Sequence, residues 1–259
     1  MRLPATSQRV ASPRAVKRED EMDWGLAPRP PYLRIIVPTA SPEAEGGRHP
    51  TARRILNLAV ALVGITLTLP LWVVIAALIK LTSRGPIFHC QTRVGVDTRN
   101  TRASRHDPRR RMDFGGRPFR IYKFRTMRVA AEAHTGAVWA TPDDPRVTVV
   151  GGFLRQFRLD ELPQLINVLK GDMNVVGPRP ERPTIFSELR EAIPDYRLRQ
   201  RARPGITGLA QVSLKYDSCI QDVARKVEYD LEYIRGQSLW RDFKIMIATI
   251  PVILLRKGW

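Results

Sequence analysis

The sequence has few of the residues that build most metal and disulfide sites. Its 259 residues include two cysteines, Cys90 and Cys219, and four histidines. The cysteines lie far apart in the chain and the histidines are scattered, so neither type has the spacing of a zinc site. A reducing compartment is the simplest interpretation of this sparse cysteine content.

Acidic residues are also scarce. Asp and Glu number 25 against 43 Lys and Arg, which gives a formal net charge of +18. Such a surplus requires an anionic partner: nucleic acid, anionic lipid or a phosphorylated substrate. Basic residues are dense in residues 93–128, but this stretch has no zinc finger, RNA-binding signature or interleaved aromatic residues. A patch for lipid headgroups accounts for the same charges, so we expect anionic membrane lipids as partners and no nucleic acid.

The first fifty residues lack the periodic apolar positions of a packed domain. They contain eight prolines and scattered charges, a composition typical of chains that do not bury enough apolar surface to fold. Residues 1–50 are therefore predicted to form a disordered tail. No secretory signal fits, because the first long apolar run begins far from Met1 and no small-residue cleavage site follows it.

That apolar run has no ionisable side chain over residues 55–79. As one straight helix it would reach about 37 Å, enough to cross a bilayer. Pro70 lies inside it, however, and an internal proline kinks or breaks a helix. Two arginines precede the run and Lys80 and Arg84 follow it, so both ends favour the cytoplasmic face. Residues 51–84 therefore predict a re-entrant membrane helix hairpin broken at Pro70, and a kinked spanning helix stays open as the alternative.

Short strands and helices are expected after this run, which indicates an α+β domain over residues 85–259. Residues 120–127 have the pattern of a strand that carries Lys123 and Arg125 on one face. Two cations on one face indicate either an edge strand in water or the floor of an anion site. Residues 240–259 mix apolar and basic side chains between two tryptophans. That mixture is typical of an interfacial helix and nearly as typical of a core helix.

Two adjacent carboxylates, Asp160 and Glu161, mark the start of the next predicted helix. Apolar side chains follow them at helical spacing: Leu162, Leu165, Ile166 and Leu169. Gly171 is then a natural stop. Asp is a favoured N-cap and carboxylates suit the positive end of the helix dipole, so capping alone explains the pair. Free backbone N–H groups at a helix N-terminus also bind phosphate. Asp160 could therefore be a helix cap or a residue that reacts with a bound phosphate, and both roles stay open.

Arginine on a stiff turn extends this candidate site. Gly177-Pro178-Arg179-Pro180 is a rigid turn, because each proline fixes its own φ and restricts the residue before it. Arg179 is therefore presented with little freedom to lose, which favours bidentate phosphate binding. Arg203-Pro204-Gly205-Ile206-Thr207-Gly208 forms a second turn with a cation and two glycines. It is not a Walker loop, since no Gly-Lys-Ser/Thr follows.

Six blocks of sequence follow one another in a particular order. They are Arg84-Gly85-Pro86-Ile87-Phe88, Tyr122-Lys123-Phe124-Arg125-Thr126-Met127, the stretch of residues 159–173, Gly177-Pro178-Arg179-Pro180, Pro204-Gly205-Ile206-Thr207-Gly208 and Ser238-Leu239-Trp240. In this order they closely resemble the bacterial monotopic phosphoglycosyl transferases, the initiating sugar transferases of exopolysaccharide and glycan assembly. The resemblance runs from about Thr51 to the C-terminus.

The resemblance implies transfer of a sugar 1-phosphate from a UDP-sugar to a polyprenyl (undecaprenyl) phosphate, with Mg²⁺ as cofactor and UMP as product. It implies that Asp160 attacks the β-phosphorus and holds the phosphosugar covalently, and that Glu161 acts as a metal ligand or a proton acceptor. Asp160 and Glu161 are both assigned to the metal. Binding of substrate phosphate is assigned to Arg179, Arg155, Lys123, Arg125 and Arg203. The compact catalytic domain, with its interfacial helices, would lie on the cytoplasmic face of the bacterial inner (plasma) membrane.

Two departures from the family pattern stand out. An arginine-rich insertion, about residues 96–117, replaces a short link, and we expect it to be a flexible, lipid-facing loop. Gly152 stands where family members often carry arginine, which weakens a phosphate contact unless Arg155 or Arg158 replaces it. The alternative from another class is a membrane-anchored basic scaffold or nucleic-acid-binding protein, in which Asp160 only caps a helix.

Overall fold

The computed structural model describes residues 49–97, 115–129, 131, 144–214 and 220–254. The tail expected over residues 1–50 lies outside the described residues except at its last two positions, and so does most of the 96–117 insertion. The elements are α1 (Pro50–Thr82), β1 (Phe88–Val94), β2 (Pro118–Phe124), α2 (Val149–Gln156), a 3-10 turn (Leu159–Glu161), α3 (Gln164–Lys170), β3 (Asn174–Val176), α4 (Pro183–Ala192), a 3-10 helix (Tyr196–Arg201), β4 (Gly205–Thr207), α5 (Leu209–Ser213), α6 (Ile220–Arg235) and α7 (Leu239–Leu254). Helix and sheet are mixed, as expected.

Helix α1 is one continuous helix of 33 residues with Pro70 inside it. The structure thus corrects the break expected at Pro70, because the proline does not divide the segment into two helices. Proline removes one backbone hydrogen bond, and side chains support the turns beside it. Thr68 Oγ1 donates to the carbonyl oxygen of Gly64 (2.6 Å), and Trp72 Nε1 donates to Thr68 Oγ1 (3.0 Å). Within the described ranges, α1 is the one helix long and apolar enough to cross a membrane.

One face of α1 packs against the rest of the chain along the length of the helix. The buried residues on this face are Arg53, Asn57, Ala61, Ile75 and Ile79. Ala61 belongs to a cluster with residues of α3, and Ile75 and Ile79 belong to a second cluster with Phe124 and Leu154. Other apolar side chains of α1 are exposed: Ile55, Leu62, Val63, Leu67, Leu69, Leu71, Val73, Val74, Leu78 and Leu81. One side of the helix is therefore covered by protein and the other is left bare.

Both ends of α1 are fixed by side-chain hydrogen bonds from the same domain. At the first end, Arg53 Nε donates to Asp242 Oδ2 (2.7 Å), and the Arg53 guanidinium also bonds Gln237 (2.7 Å) and Tyr233. At the last end, Arg125 Nη2 donates to the carbonyl oxygen of Ser83 (2.8 Å). The guanidinium of Arg125 thereby satisfies backbone acceptors that the helix terminus leaves without partners.

Two small sheets position the segments that carry the polar residues. Strands β1 and β2 are antiparallel, with Phe88 opposite Phe124 and Val94 opposite Pro118. The pairing continues beyond the strands, because the N–H of Arg117 donates to the carbonyl oxygen of Val96 (3.0 Å). The insertion therefore leaves and rejoins the domain at neighbouring positions. Strands β3 and β4 are parallel, and the N–H of Gly205 donates to the carbonyl oxygen of Pro178 (2.9 Å), which brings the turn after β3 beside the start of β4.

The helices after β3 complete the core and leave one further apolar surface. Residues of α4 and α6 share a buried cluster: Phe186, Leu189, Val223, Val227 and Leu231. Helix α7 buries Asp242 and Ile245, whereas a stripe at helical spacing stays exposed: Trp240, Phe243, Ile247, Ile250 and Leu254. The apolar stripe and the basic side chains beside it have the composition of an interfacial helix.

Candidate active site

The carboxylate pair, Asp160 and Glu161, lies in the 3-10 turn between α2 and α3 and is buried. Neither residue is an N-cap. Arg158 precedes the 3-10 turn and Pro163 precedes α3, and no side-chain cap bond is found at either position. Helix α3 begins at Gln164, whereas the sequence pattern predicts its start at or beside the carboxylate pair. Capping therefore does not explain why two carboxylates are buried here.

Glu161 is held by two cations. Lys123 Nζ donates to Glu161 Oε1 (2.9 Å), and Arg179 donates to Oε1 through Nη2 (2.6 Å) and to Oε2 through Nη1 (3.2 Å). Burial alone would oppose ionisation, but the charges of Arg179 and Lys123 outweigh it and hold the pKa of Glu161 well below its usual range. Glu161 is thus a fixed anion that orients two cations.

Asp160 has a different environment from its neighbour. Its ion pair with Lys123 is longer, with Nζ at 3.8 Å from Oδ2. Burial raises the pKa of Asp160, the charge of Glu161 adds to that rise, and the charge of Lys123 opposes it. Because Lys123 is bonded to Glu161, the carboxylate of Asp160 is the less firmly engaged of the two. A buried carboxylate of this kind suits nucleophilic attack.

A second arginine holds the backbone of Arg179 in the Gly177-Pro178-Arg179-Pro180 turn. Arg199 Nη2 donates to the carbonyl oxygen of Arg179 (3.0 Å), and Arg199 Nε is itself paired with Asp230 Oδ2 (2.7 Å). Gly177 allows the two parallel strands to approach, since a Cβ there would lie 2.3 Å from the carbonyl oxygen of Arg203. The charge of Glu161 raises the pKa of Arg179, so the guanidinium stays charged.

Two further arginines surround the carboxylate pair. Arg155 Nε donates to Thr126 Oγ1 (2.9 Å), and the charge of Arg155 acts on Asp160. The charge of Arg158 acts on Glu161. Together with Lys123 and Arg179, four cations therefore act on two carboxylates, so the site carries surplus positive charge. An excess of this sign around a buried site suits an anionic ligand such as a diphosphate.

The other predicted phosphate-binding residues lie elsewhere. The structure directs Arg125 to Ser83 and Arg84 at the end of α1 instead of to the carboxylate pair. Arg203 is exposed beside the Gly177 turn. Gly152 has open space around it, since the nearest side-chain atom is 4.0 Å from a Cβ built there. The structure therefore unites Asp160, Glu161, Lys123, Arg155 and Arg179, and does not bring Arg125 to them.

Three contributors were not among the predicted site residues. Thr126 holds Arg155, and Arg199 with Asp230 holds the backbone of Arg179. Asp230 comes from α6, 31 residues beyond Arg199. The sequence carries no local signal for such a contact, because both residues occupy ordinary positions in their own helices. Thr126, by contrast, lies inside a recognised block and adjoins Arg125.

The carboxylate pair fits Mg²⁺ only in company with a phosphate ligand. The described part of the chain contains no group of three or more His, Cys, Asp or Glu placed to hold a metal ion. Mg²⁺ is usually bound by one or two carboxylates, with water and substrate phosphates completing its octahedron. Asp160 and Glu161 supply such a pair, and Asp160 is the more available oxygen donor because Glu161 is engaged by Lys123 and Arg179.

Comparisons with known proteins identify the family. A family model described as "Bacterial sugar transferase" matches residues 48–256. The chain is 43% identical over 206 residues to a UDP-N-acetylgalactosamine-undecaprenyl-phosphate N-acetylgalactosaminephosphotransferase of Aeromonas hydrophila, covering 80% of this chain and 44% of that protein. It is 40% identical over 200 residues to a UDP-glucose:undecaprenyl-phosphate glucose-1-phosphate transferase of Escherichia coli, covering 76% of this chain and 39% of that protein. A protein of the same description from Caulobacter vibrioides is 40% identical over 204 residues, with 78% and 69% covered. The chain thus spans less than half the length of the first two relatives.

Proposed function

Because the chain belongs to the family of bacterial sugar transferases, we propose that it transfers a sugar 1-phosphate from a UDP-sugar to undecaprenyl phosphate and releases UMP. This reaction would be the first membrane step in the assembly of an exopolysaccharide or a related glycan. The observation that carries the proposal is the buried, loosely paired Asp160 beside a Glu161 that is clamped by Lys123 and Arg179. A nucleophile and a phosphate-binding group are thereby adjacent.

In the first step, a carboxylate oxygen of Asp160 attacks the β-phosphorus of the UDP-sugar. The bond between that phosphorus and the bridging oxygen breaks, and UMP leaves with the electron pair on this oxygen. Asp160 then carries the sugar phosphate as an acyl phosphate. In the second step, a phosphate oxygen of undecaprenyl phosphate attacks the same phosphorus, and the carboxylate of Asp160 leaves. Two easier displacements replace one difficult one.

The neighbouring residues stabilise the charge that develops at phosphorus. Arg179 and Lys123 are held in place by Glu161 before any substrate binds, so little reorganisation is needed at the moment of reaction. Arg155 adds a third positive charge near Asp160. Asp160 and Glu161 are the residues that would hold Mg²⁺ together with the diphosphate, and this ion supplies further neutralisation of phosphoryl charge.

The anchoring of α1 supports a monotopic placement at the membrane. A helix that crossed the bilayer would separate its ends by a hydrocarbon core of about 30 Å. Here Arg53 near one end and Ser83 just past the other end are both hydrogen-bonded by residues of one domain. This arrangement supports a placement in which both ends of the continuous helix α1 lie on one side of the membrane, and the basic flanks favour the cytoplasmic side. The bare apolar stripe of α7 would then lie in the lipid interface.

The test of this function is a UMP-release assay on the full chain in lipid nanodiscs with Mg²⁺. A panel of UDP-sugars, beginning with UDP-glucose and UDP-N-acetylgalactosamine, is supplied first without an acceptor. We expect a burst of UMP and an increase in intact mass equal to one sugar phosphate, and then turnover when undecaprenyl phosphate is added. A folded protein that releases no UMP from any member of the panel would contradict the proposal.

A further inference from the structure

Arg158 has a backbone conformation that disfavours its side chain. Its φ is 53° and its ψ is 21°, in the left-handed region. Among the described residues, Asp195 is the only other non-glycine with a positive φ. Glycine or asparagine normally occupies such a position after a helix, because a Cβ there crowds the backbone. An arginine at the end of α2 is therefore retained against local preference, and such outliers cluster at functional sites.

Arg158 immediately precedes the 3-10 turn that carries the carboxylate pair, and among the described residues its side chain makes no hydrogen bond to either carboxylate. The carbonyl oxygen of Arg158 accepts from the N–H of Glu161 (3.1 Å), and Arg179 binds the carboxylate of the same residue, so Arg158 and Arg179 both adjoin Glu161. The Nε of Arg158 is buried and has no hydrogen-bond partner among the described residues. A buried guanidinium N–H without a partner is costly unless a ligand supplies an acceptor.

Neither carboxylate of the pair neutralises the charge of Arg158 through an ion pair. Both oxygens of Glu161 accept from Arg179, and one of them also accepts from Lys123. Among the described residues, Asp160 pairs with Lys123 at 3.8 Å and forms no ion pair with Arg158. Arg158 is thus a surplus positive charge placed beside another arginine, and like charges at close range need an anion between them. A phosphate group, with several acceptor oxygens, satisfies two guanidinium groups at once.

We propose that Arg158 binds a phosphate group of a bound substrate, and that the left-handed backbone at the end of α2 aims it at that phosphate. The inference rests on the proposed function for the identity of the substrates. Two substrates carry this chemistry: the UDP-sugar, with its diphosphate, and the lipid acceptor, with its single phosphate. Arg158 would then complete with Arg179 a two-arginine clamp around the group that Asp160 attacks.

The decisive variant is Arg158→Gly, because glycine is favoured at positive φ. A purely structural arginine would lower the thermal midpoint when removed, whereas a ligand-binding arginine leaves the midpoint unchanged or raised. Asp195→Gly is the matched control, since Asp195 has a left-handed backbone (φ 60°) and is not among the charges that act on the carboxylate pair. Arg158→Lys keeps the charge and removes the planar fork.

Three measurements separate the outcomes. Equilibrium binding of UDP, KM for the UDP-sugar in UMP release, and KM for undecaprenyl phosphate are compared in all variants. We expect Arg158→Gly to weaken binding of the phosphate source at least tenfold, Arg158→Lys to weaken it about threefold, and Asp195→Gly to leave it unchanged. A raised KM for the UDP-sugar identifies the donor diphosphate, and a raised KM for undecaprenyl phosphate alone identifies the acceptor.

Unchanged binding of both substrates in folded Arg158→Gly protein would overturn the proposal. A lower thermal midpoint together with unchanged binding would show that Arg158 has a structural role instead. UDP binding is measured without turnover, so it remains informative if the chain releases no UMP. Absence of UMP release in the unaltered chain would refute the proposed function, whereas a tenfold loss of UDP binding in Arg158→Gly would still establish the phosphate contact.

Discussion

Arg179 and Glu161 are joined by two hydrogen bonds, of 2.6 and 3.2 Å, although they lie on separate turns of the chain. Asp160, the neighbour of Glu161, has only a longer ion pair, with Lys123 at 3.8 Å. These two adjacent carboxylates thus have different roles. Glu161 fixes cations, and Asp160 is left available for chemistry.

We expect Asp160→Asn to abolish catalysis without unfolding the protein. An amide is a poor nucleophile, so UMP release should fall by about 10³-fold or more. The mass adduct with UDP-sugar should disappear as well. Asp160 caps no helix and its burial disfavours its charged form, so the thermal midpoint should stay the same or rise. Near-normal turnover in this variant, or an adduct that maps to another residue, would remove Asp160 from the mechanism.

Glu161→Gln should act mainly through the two cations that it releases. Without the carboxylate, Lys123 and Arg179 would lose their shared partner in a buried site. We expect a loss of about 2 kcal/mol in unfolding free energy, less than for a fully buried pair because Arg179 reaches solvent. Chemical denaturation measures this loss, and UMP release should fall in parallel. The stability of Asp160→Asn is the matched control, and equal losses in the two variants would refute the division of roles.

The adjacent glycines of α2 should respond in opposite ways to alanine. A Cβ at Gly151 would lie 2.0 Å from the backbone oxygen of Thr126, whereas a Cβ at Gly152 meets open space. Gly151→Ala should cost about 1–3 kcal/mol and should reduce activity, because Thr126 holds Arg155. Gly152→Ala should add about 0.5–1 kcal/mol, since glycine weakens a helix interior.

Thermal unfolding and UMP release of both glycine variants check this prediction. Gly152→Arg should also fold, which would restore the arginine that family members often carry there. A large loss of stability in Gly152→Ala would show that the open space is filled by something outside the described residues.

The insertion should be removable without disturbing the site. Because Arg117 N–H bonds the carbonyl of Val96, residues 98–114 can be replaced by a two-residue Asn-Gly turn that closes the hairpin. We expect UMP release to persist and binding to anionic vesicles to weaken, most clearly at low salt. Vesicle flotation with neutral lipid as the reference measures this effect. Complete loss of UMP release in a folded deletion variant would place the insertion in the active site.

The topology can be tested with single cysteines at Thr51 and Thr82, both exposed, in a background with Cys90→Ser and Cys219→Ser. An impermeant thiol reagent should give the same labelling at both positions, in intact cells and in opened cells. Pro70→Ala should move a fraction of the molecules toward a spanning state, because it restores the missing hydrogen bond of a helix long enough to cross. Opposite accessibility of the two cysteines in the unaltered sequence would establish a spanning helix.

Local features of the fold could be predicted from the sequence. Strand β2, the stop of α3 at Gly171 and the grouping of Asp160 with Glu161 follow from periodicity and turn chemistry. Helix α3 begins later than its predicted start beside Asp160 and Glu161, because helical periodicity does not distinguish a 3-10 turn from the first turn of an α-helix.

Long-range partners could not be predicted in the same way. Lys123 and Arg125 were expected to share one role, since alternate residues of a strand share a face. In the structure, Lys123 donates a hydrogen bond to Glu161, whereas Arg125 donates to backbone oxygens at the end of α1. What decides between these roles is the placement of α1, which depends on packing between segments far apart in the chain. Arg199 and Asp230 could not be predicted for the same reason, because their contact with Arg179 depends on the packing of α6.

Helix α1 supplies Ala61 to one buried cluster and Ile75 with Ile79 to another. Helix α1 is therefore part of the core of the domain, because two buried clusters include its side chains. Loss or displacement of α1 would therefore remove packing partners from Leu165 and Val168 in the first cluster and from Phe124 and Leu154 in the second.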